Sequence, residues 1–130
     1  MKKCVLFVIA IFCILTSCSK SEDILSSGTY VMEIEQEDIT IVPTVSINTK
    51  QKEFSFSYDA LSSYYTFGTY EMKDNILTTT TSDEKYHYVF EIVDENTLSF
   101  VEESSSEITV FDSRFSVVPQ DGAIFKKIKE

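Results

Sequence analysis

The chain has 130 residues, 21 of them acidic against 11 basic, with one His, three Cys and no Trp, and its formal net charge is −10. That balance argues against nucleic acid as a partner, because neutralising phosphates takes clustered Lys and Arg and the basic cluster here is confined to Lys126, Lys127 and Lys129. The length sets one domain as the expectation, and the acidity reads as a solvated surface that keeps a protein soluble and monomeric.

The chain opens with Lys2 and Lys3, an apolar run from Val5 to Leu15, the small polar pair Thr16 and Ser17, and then Cys18. A basic start, an apolar stretch of roughly 7–15 residues and small residues at the end define a helical export signal over residues 1–17. A membrane span needs about 20 apolar residues, and this run meets Ser17, Ser19, Lys20, Ser21, Glu22 and Asp23 too early. A plain cleaved signal and an uncleaved anchor are the alternatives. Leu15-Thr16-Ser17-Cys18 resembles the lipobox of bacterial lipoproteins. The resemblance implies a diacylglycerol on the Cys18 sulfur, cleavage before that cysteine and acylation of the new amino group. It also implies an extracytoplasmic place in the cell envelope, at the outer membrane of a Gram-negative host, with the membrane as partner through the lipid. Two or more acyl chains make such an anchor stable.

Cys4 and Cys13 would leave with the signal. The remaining 113 residues carry nine basic against 21 acidic residues, a formal charge of −12, and no pair of cysteines for a disulfide. The core alone must hold such a domain, which at this size buries about two-thirds of its unfolded surface. Residues 18–27 read as a polar tether. Within them Lys20-Ser21-Glu22-Asp23 is similar to the Lys-plus-acidic stretches behind the lipidated cysteine of surface-exported lipoproteins, which implies surface exposure.

From Gly28 onward the dominant period is two. Tyr30, Met32 and Ile34 alternate with Val31, Glu33 and Glu35, and Ile39, Ile41, Val45 and Ile47 with Thr40, Val42, Thr44 and Ser46. Such alternation predicts half-buried strands, the second bent, bulged or at an edge at Pro43, which cannot donate to a ladder. Residues 48–52 form a turn, and Phe54, Phe56 and Tyr58 line one face of the next strand. Residues 59–66 make a loop containing Ser62, Ser63, Tyr64 and Tyr65, after which residues 67–73 resume the strand pattern with Tyr70 and Met72 on one face. Asp74-Asn75 tolerates the positive φ of a two-residue hairpin turn, and the threonines from Thr78 to Thr81 favour extended chain.

Residues 82–84 turn the chain into the clearest strand, with Tyr86, Tyr88, Phe90 and Ile92 on one face and His87, Val89, Glu91 and Val93 on the other. Residues 94–96 turn it again, and Leu98 and Phe100 continue the buried face. Residues 102–122 form a long connection of the kind that is usually functional or a lid, acidic and serine-rich at first, with a short strand expected at residues 108–111. Asp121-Gly122 is a turn signal, and residues 123–128 make the last strand. Helical patterning is nearly absent after Cys18. The prediction is an all-β domain over residues 28–130, an antiparallel meander of about eight strands closing into a small β-barrel, the number at which an up-and-down sheet loses its edges.

Gly28-Thr29-Tyr30-Val31-Met32 recurs as Gly68-Thr69-Tyr70-Glu71-Met72, each copy heading a series of about four strands. Duplication and shared strand chemistry both account for it. Gly28 and Tyr30, a Gly-x-aromatic at the head of the first strand, resemble the start of lipocalin-like barrels, in which that pair closes one barrel end. The resemblance implies a lipocalin-like fold and binding of a small apolar or amphipathic ligand. Lipocalins place Trp where Tyr30 stands and usually set an Arg against it from beyond the last strand, where this chain offers Lys126 and Lys127.

The residues for common chemistries are missing. The single His87 lies mid-strand away from the aromatic face, whereas a triad or acid–base pair needs a histidine beside a nucleophile or carboxylate. Zinc needs three or four ligands, and phosphate loops need clustered glycines, not the separated Gly28, Gly68 and Gly122. Glu33 and Glu35 alternate with the apolar face and point to solvent. No catalytic residue, metal or cofactor is predicted. The expectation is a non-catalytic protein that binds a protein or glycan partner, with carriage of a small apolar or amphipathic ligand as the alternative and an enzyme as the third class. Nine inward aromatics of about 150–250 Å² each fill a barrel whose interior is just wide enough for side chains. Tyr64, Tyr65 and Phe67 are the candidate contact loop, since Tyr beside small polar residues makes adaptable surfaces; a plug of one barrel end is the other reading.

Overall fold

The computed structural model describes residues 25–59 and 66–129. Cys18, the expected signal over residues 1–17, Tyr64 and Tyr65 lie outside them. Eight strands follow in order: β1 (Gly28–Met32), β2 (Thr44–Asn48), β3 (Glu53–Ser57), β4 (Phe67–Lys73), β5 (Ile76–Thr81), β6 (His87–Asp94), β7 (Thr97–Phe100) and β8 (Ile124–Lys127). Each pairs antiparallel with the next, and β8 returns to β1 with Tyr30 opposite Lys127, so the sheet is a closed barrel in simple chain order.

The period of two decides which side chains enter. In β3 the burial alternates strictly, Phe54 and Phe56 inside and Glu53, Ser55 and Ser57 outside. The axis is occupied by rings in edge-on contact: Phe56 has its centroid 5.1 Å from Tyr88, 5.2 Å from Tyr58, 5.8 Å from Phe90 and 6.1 Å from Phe125. Phe90 in turn lies 5.5 Å from both Phe100 and Phe125. Aromatic pairs at these separations add to the stabilisation from area burial alone.

Turn chemistry sets the hairpins. Asp74 and Asn75 both take positive φ, 51° and 65°, between Lys73 and Ile76, the geometry that matches the twist of paired strands. Lys52 and Glu84 take positive φ in the turns before β3 and β6. At Gly68 a Cβ would meet the backbone of Thr80, Thr81 and Ser82, so only glycine lets β4 and β5 approach this closely at a corner of the barrel.

The topology gives the barrel two unlike ends. The lower end holds the start of β1, the short turns at residues 49–52, 74–75 and 95–96, and the end of β8; the upper end holds the connections at residues 33–43, 82–86 and 101–123, with residues 58–59 and 66 beside them. Leu25, expected in a free tether, is buried in the core cluster. Ser26 and Ser27 are tied down as well, the Tyr30 hydroxyl donating to the Ser26 carbonyl at 2.6 Å and the Ser27 and Thr49 hydroxyls lying 2.7 Å apart. Packing of the domain therefore reaches back at least to Leu25, three residues before the first strand.

Other sequence expectations need correction. Tyr86 is 37% exposed: it precedes β6 in the turn, and the alternation that points Tyr88 inward does not hold beyond the ladder. Residues 39–42 are not strand; β2 starts after Pro43, and Ile41 makes only an isolated parallel bridge with Ser116. Residues 108–111 form no strand either, with Ile108 in the core and Phe111 78% exposed. The second Gly-Thr-Tyr-x-Met segment heads the fourth strand, so three strands precede it and not four. Val89, on the outward face, is buried because the chain after β7 crosses over it.

Candidate functional site

The upper end carries the long connection from β7 to β8, and its course follows from how its backbone groups are satisfied. After Phe100 the chain makes one 3-10 turn (Glu102–Ser104) and comes back beside β6. There the Ser105 hydroxyl accepts from the Val89 N–H at 2.8 Å and donates to the Val101 carbonyl at 2.7 Å, while the Ser106 N–H donates to the His87 carbonyl and the Ser106 hydroxyl accepts from the His87 N–H. Serine side chains thus complete a ladder that β7 is too short to provide. The run of serines that reads in sequence as a polar loop is a splice onto β6.

The loop is closed at its base and pinned at its far side. Glu102 and Asp121 exchange backbone-to-carboxylate bonds, the Glu102 N–H donating to Asp121 at 3.0 Å and the Asp121 N–H to Glu102 at 3.1 Å. Across the mouth the buried Asp59 accepts the Phe111 N–H at 2.6 Å, and the Phe115 carbonyl accepts the N–H groups of Thr40 and Ile41 at 3.2 and 3.0 Å. Ile108 enters the core cluster, and Val117 and Val118 pack against it with Ile34, Val42 and Tyr58. The connection is a lid fixed over the upper mouth.

What the lid leaves outside is aromatic and acidic. Phe111 is 78% and Phe115 47% exposed. Between them the Arg114 guanidinium donates to both carboxylate oxygens of Asp112, 2.8 Å at the shortest, which lowers the Asp112 pKa below its ordinary range, and it lies 5.4 Å from the Phe115 ring centroid. Such a surface pair contributes little stability, but it fixes a planar cation beside an exposed ring. In the β5–β6 turn the Thr81 hydroxyl donates to Asp83 and, with the Lys85 N–H, depresses its pKa.

Of the sequence-predicted contact residues, Phe67 alone is described. It lies half-exposed on the outer face at the upper end of β4, opposite Ser55, over a shallow groove of about 460 Å³ shared with Ser46, Phe54 and Ser82. Phe111 and Phe115 were missed because nothing in their local pattern separates an exposed ring from a buried one. A wider groove of about 1310 Å³ runs along the lower rim between Lys52, Lys73, Asp74 and the side of Leu25, and it too opens outward. His87 is exposed and its backbone is occupied by Ser106. No protein-family model matches the chain, and no curated protein or solved structure is significantly similar to it.

Proposed function

We propose that this is a lipid-anchored, non-catalytic protein of a bacterial cell envelope whose barrel presents its upper rim to a protein or glycan partner. The observation that carries the reading is the contrast between inside and outside: Phe56, Tyr88, Phe90, Phe100 and Phe125 pack along the axis, while Phe67, Tyr86, Phe111 and Phe115 stand exposed at the end opposite the incoming N-terminal segment. Exposed aromatics on a fixed lid offer large contact area at small conformational cost. An axis filled with rings weighs against carriage of a small apolar ligand, and the exposure of the single His87 weighs against acid–base catalysis.

The test is capture of a partner from an envelope extract by the chain from residue 19 onward, identified by mass spectrometry, against the double variant Phe111→Ser/Phe115→Ser. Specific capture by the native chain that falls at least several-fold in a variant of unchanged melting temperature supports the reading. Capture equal in both, or a co-purifying small apolar molecule in place of a macromolecule, refutes it.

A further inference from the structure

The two ends of the barrel differ in charge as well as in structure. The described upper connections carry twelve carboxylates, four of them (Glu33, Glu35, Glu37 and Asp38) between β1 and β2 and five between β7 and β8, with Lys85 and Arg114 as their cations. The lower turns and the strand ends beside them carry Lys50, Lys52, Lys73, Lys127 and Lys129 against Glu53, Asp74, Asp94 and Glu95. Exposed hydrophobic side chains divide the same way: aromatics at the upper end, and the aliphatic Ile76, Val93 and Ile128 at the lower. Leu25, buried in the core where the chain joins the lower end, is seven residues from Cys18, a reach of at most about 25 Å at roughly 3.3–3.6 Å per residue.

We propose that the lower rim is a membrane-facing surface that seats against the phosphates of an anionic lipid layer, so that the barrel stands with its upper rim outward. The proposal rests on the lipidation of Cys18 read above. The field of an anionic surface decays within a Debye length of about 8–10 Å. The longest strand, β6, has eight residues, which at about 3.4 Å each and inclined to the axis give a height of roughly 20 Å. An upright barrel therefore holds its upper carboxylates beyond the field, and one lying on its side brings them into it. Lysines with their stems along apolar surface and their ammonium groups at the phosphates, beside aliphatic side chains, suit the headgroup layer.

The experiment uses the full-length, processed chain in vesicles of phosphatidylcholine and phosphatidylglycerol that carry a headgroup nitroxide. With Cys18 acylated, Asn75→Cys and Phe111→Cys each supply one thiol for a fluorophore. The Asn75 site should be quenched several-fold more than the Phe111 site, and the ratio should shrink in pure phosphatidylcholine and in Lys50→Glu/Lys73→Glu. Equal quenching, or stronger quenching at Phe111, overturns the proposal. If mass spectrometry finds no acyl group on Cys18, the anchoring reading fails instead. The same two labels are then compared with the cysteine-free chain from residue 19 onward, held on nickel-chelating vesicles by an N-terminal histidine tag, where equal quenching still overturns the orientation.

Discussion

The side chain of Lys127 lies against the backbone of Gly28, and its ammonium donates to the Ser26 hydroxyl at 3.1 Å. A Cβ at Gly28 would collide with that side chain. Gly28→Ala should therefore displace Lys127 and lose the bond, at about 0.5–1.5 kcal/mol, on top of the strain that φ of +153° imposes on any side chain there; in a Lys127→Ala background only the backbone strain remains, so the same change should cost measurably less. A thermal double-mutant cycle with equal costs in both backgrounds would show that the contact has no energetic consequence.

Gly68 makes a harder prediction, because its neighbours are backbone and cannot swing away. Gly68→Ala should destabilise by about 1–3 kcal/mol through overpacking, whereas Gly122, with open space around it and φ of +80°, should respond only through its left-handed backbone, at roughly 1–2 kcal/mol. Urea melts of the two variants compare them directly; a neutral Gly68→Ala would mean that the corner between β4 and β5 can open.

Phe56 and Phe111 are the same residue type with opposite expectations. Phe56 touches four rings on the axis, so Phe56→Ala should cost about 3–5 kcal/mol. Phe111 is 78% exposed, and Phe111→Ala should stay within about 0.5 kcal/mol, since the bond from its N–H to Asp59 does not involve the ring. Denaturant midpoints decide; a large loss at Phe111 would mark it as lid packing and remove it from the contact surface.

The pH response has two sides. Burial raises the pKa of Tyr30, Tyr70 and Tyr88, for Tyr88 with the neighbouring Tyr58 adding to the rise. Their contribution is present below the ordinary tyrosine value of about 10 and is lost as pH rises above it, so alkaline unfolding should coincide with a late, cooperative rise of tyrosinate absorbance. On the acid side Asp83, Asp94 and Asp112 are lowered by hydrogen bonds, Asp94 chiefly by the Asn96 N–H. What they add is present above about pH 4 and fades as pH falls through their depressed values. Smooth, non-cooperative tyrosine titration with the fold intact would contradict the alkaline half.

For the anchor, Cys18→Ala should abolish incorporation of a fatty-acid analogue and leave an unprocessed precursor. Continued acylation of that variant would place the lipid elsewhere.

The strands were legible because a half-buried strand writes its own pattern: Phe54, Phe56, Tyr88, Phe90 and Phe100 all enter where alternation puts them, and Asp74-Asn75 turns as its chemistry requires. Alternation says nothing past the end of a ladder, which is why Tyr86 escaped to the surface. It is equally silent on cover from elsewhere in the chain, which is what buries Val89 beneath the Ser105 crossing. The lid was legible only as a long acidic connection. Its course depends on bonds such as Asp59 to Phe111, between residues far apart in sequence with no periodicity linking them.

The closure of β8 onto β1 also governs when the domain can exist. A chain emerging N-terminus first exposes the outer edge of β1 until residues 124–127 arrive to cover it, so everything between must wait as an open sheet. Contacts this distant in sequence slow folding, and the uncovered edge is a template for another copy. Loss of residues 124–130 would therefore give an open-edged, self-associating sheet, and not a slightly shorter barrel.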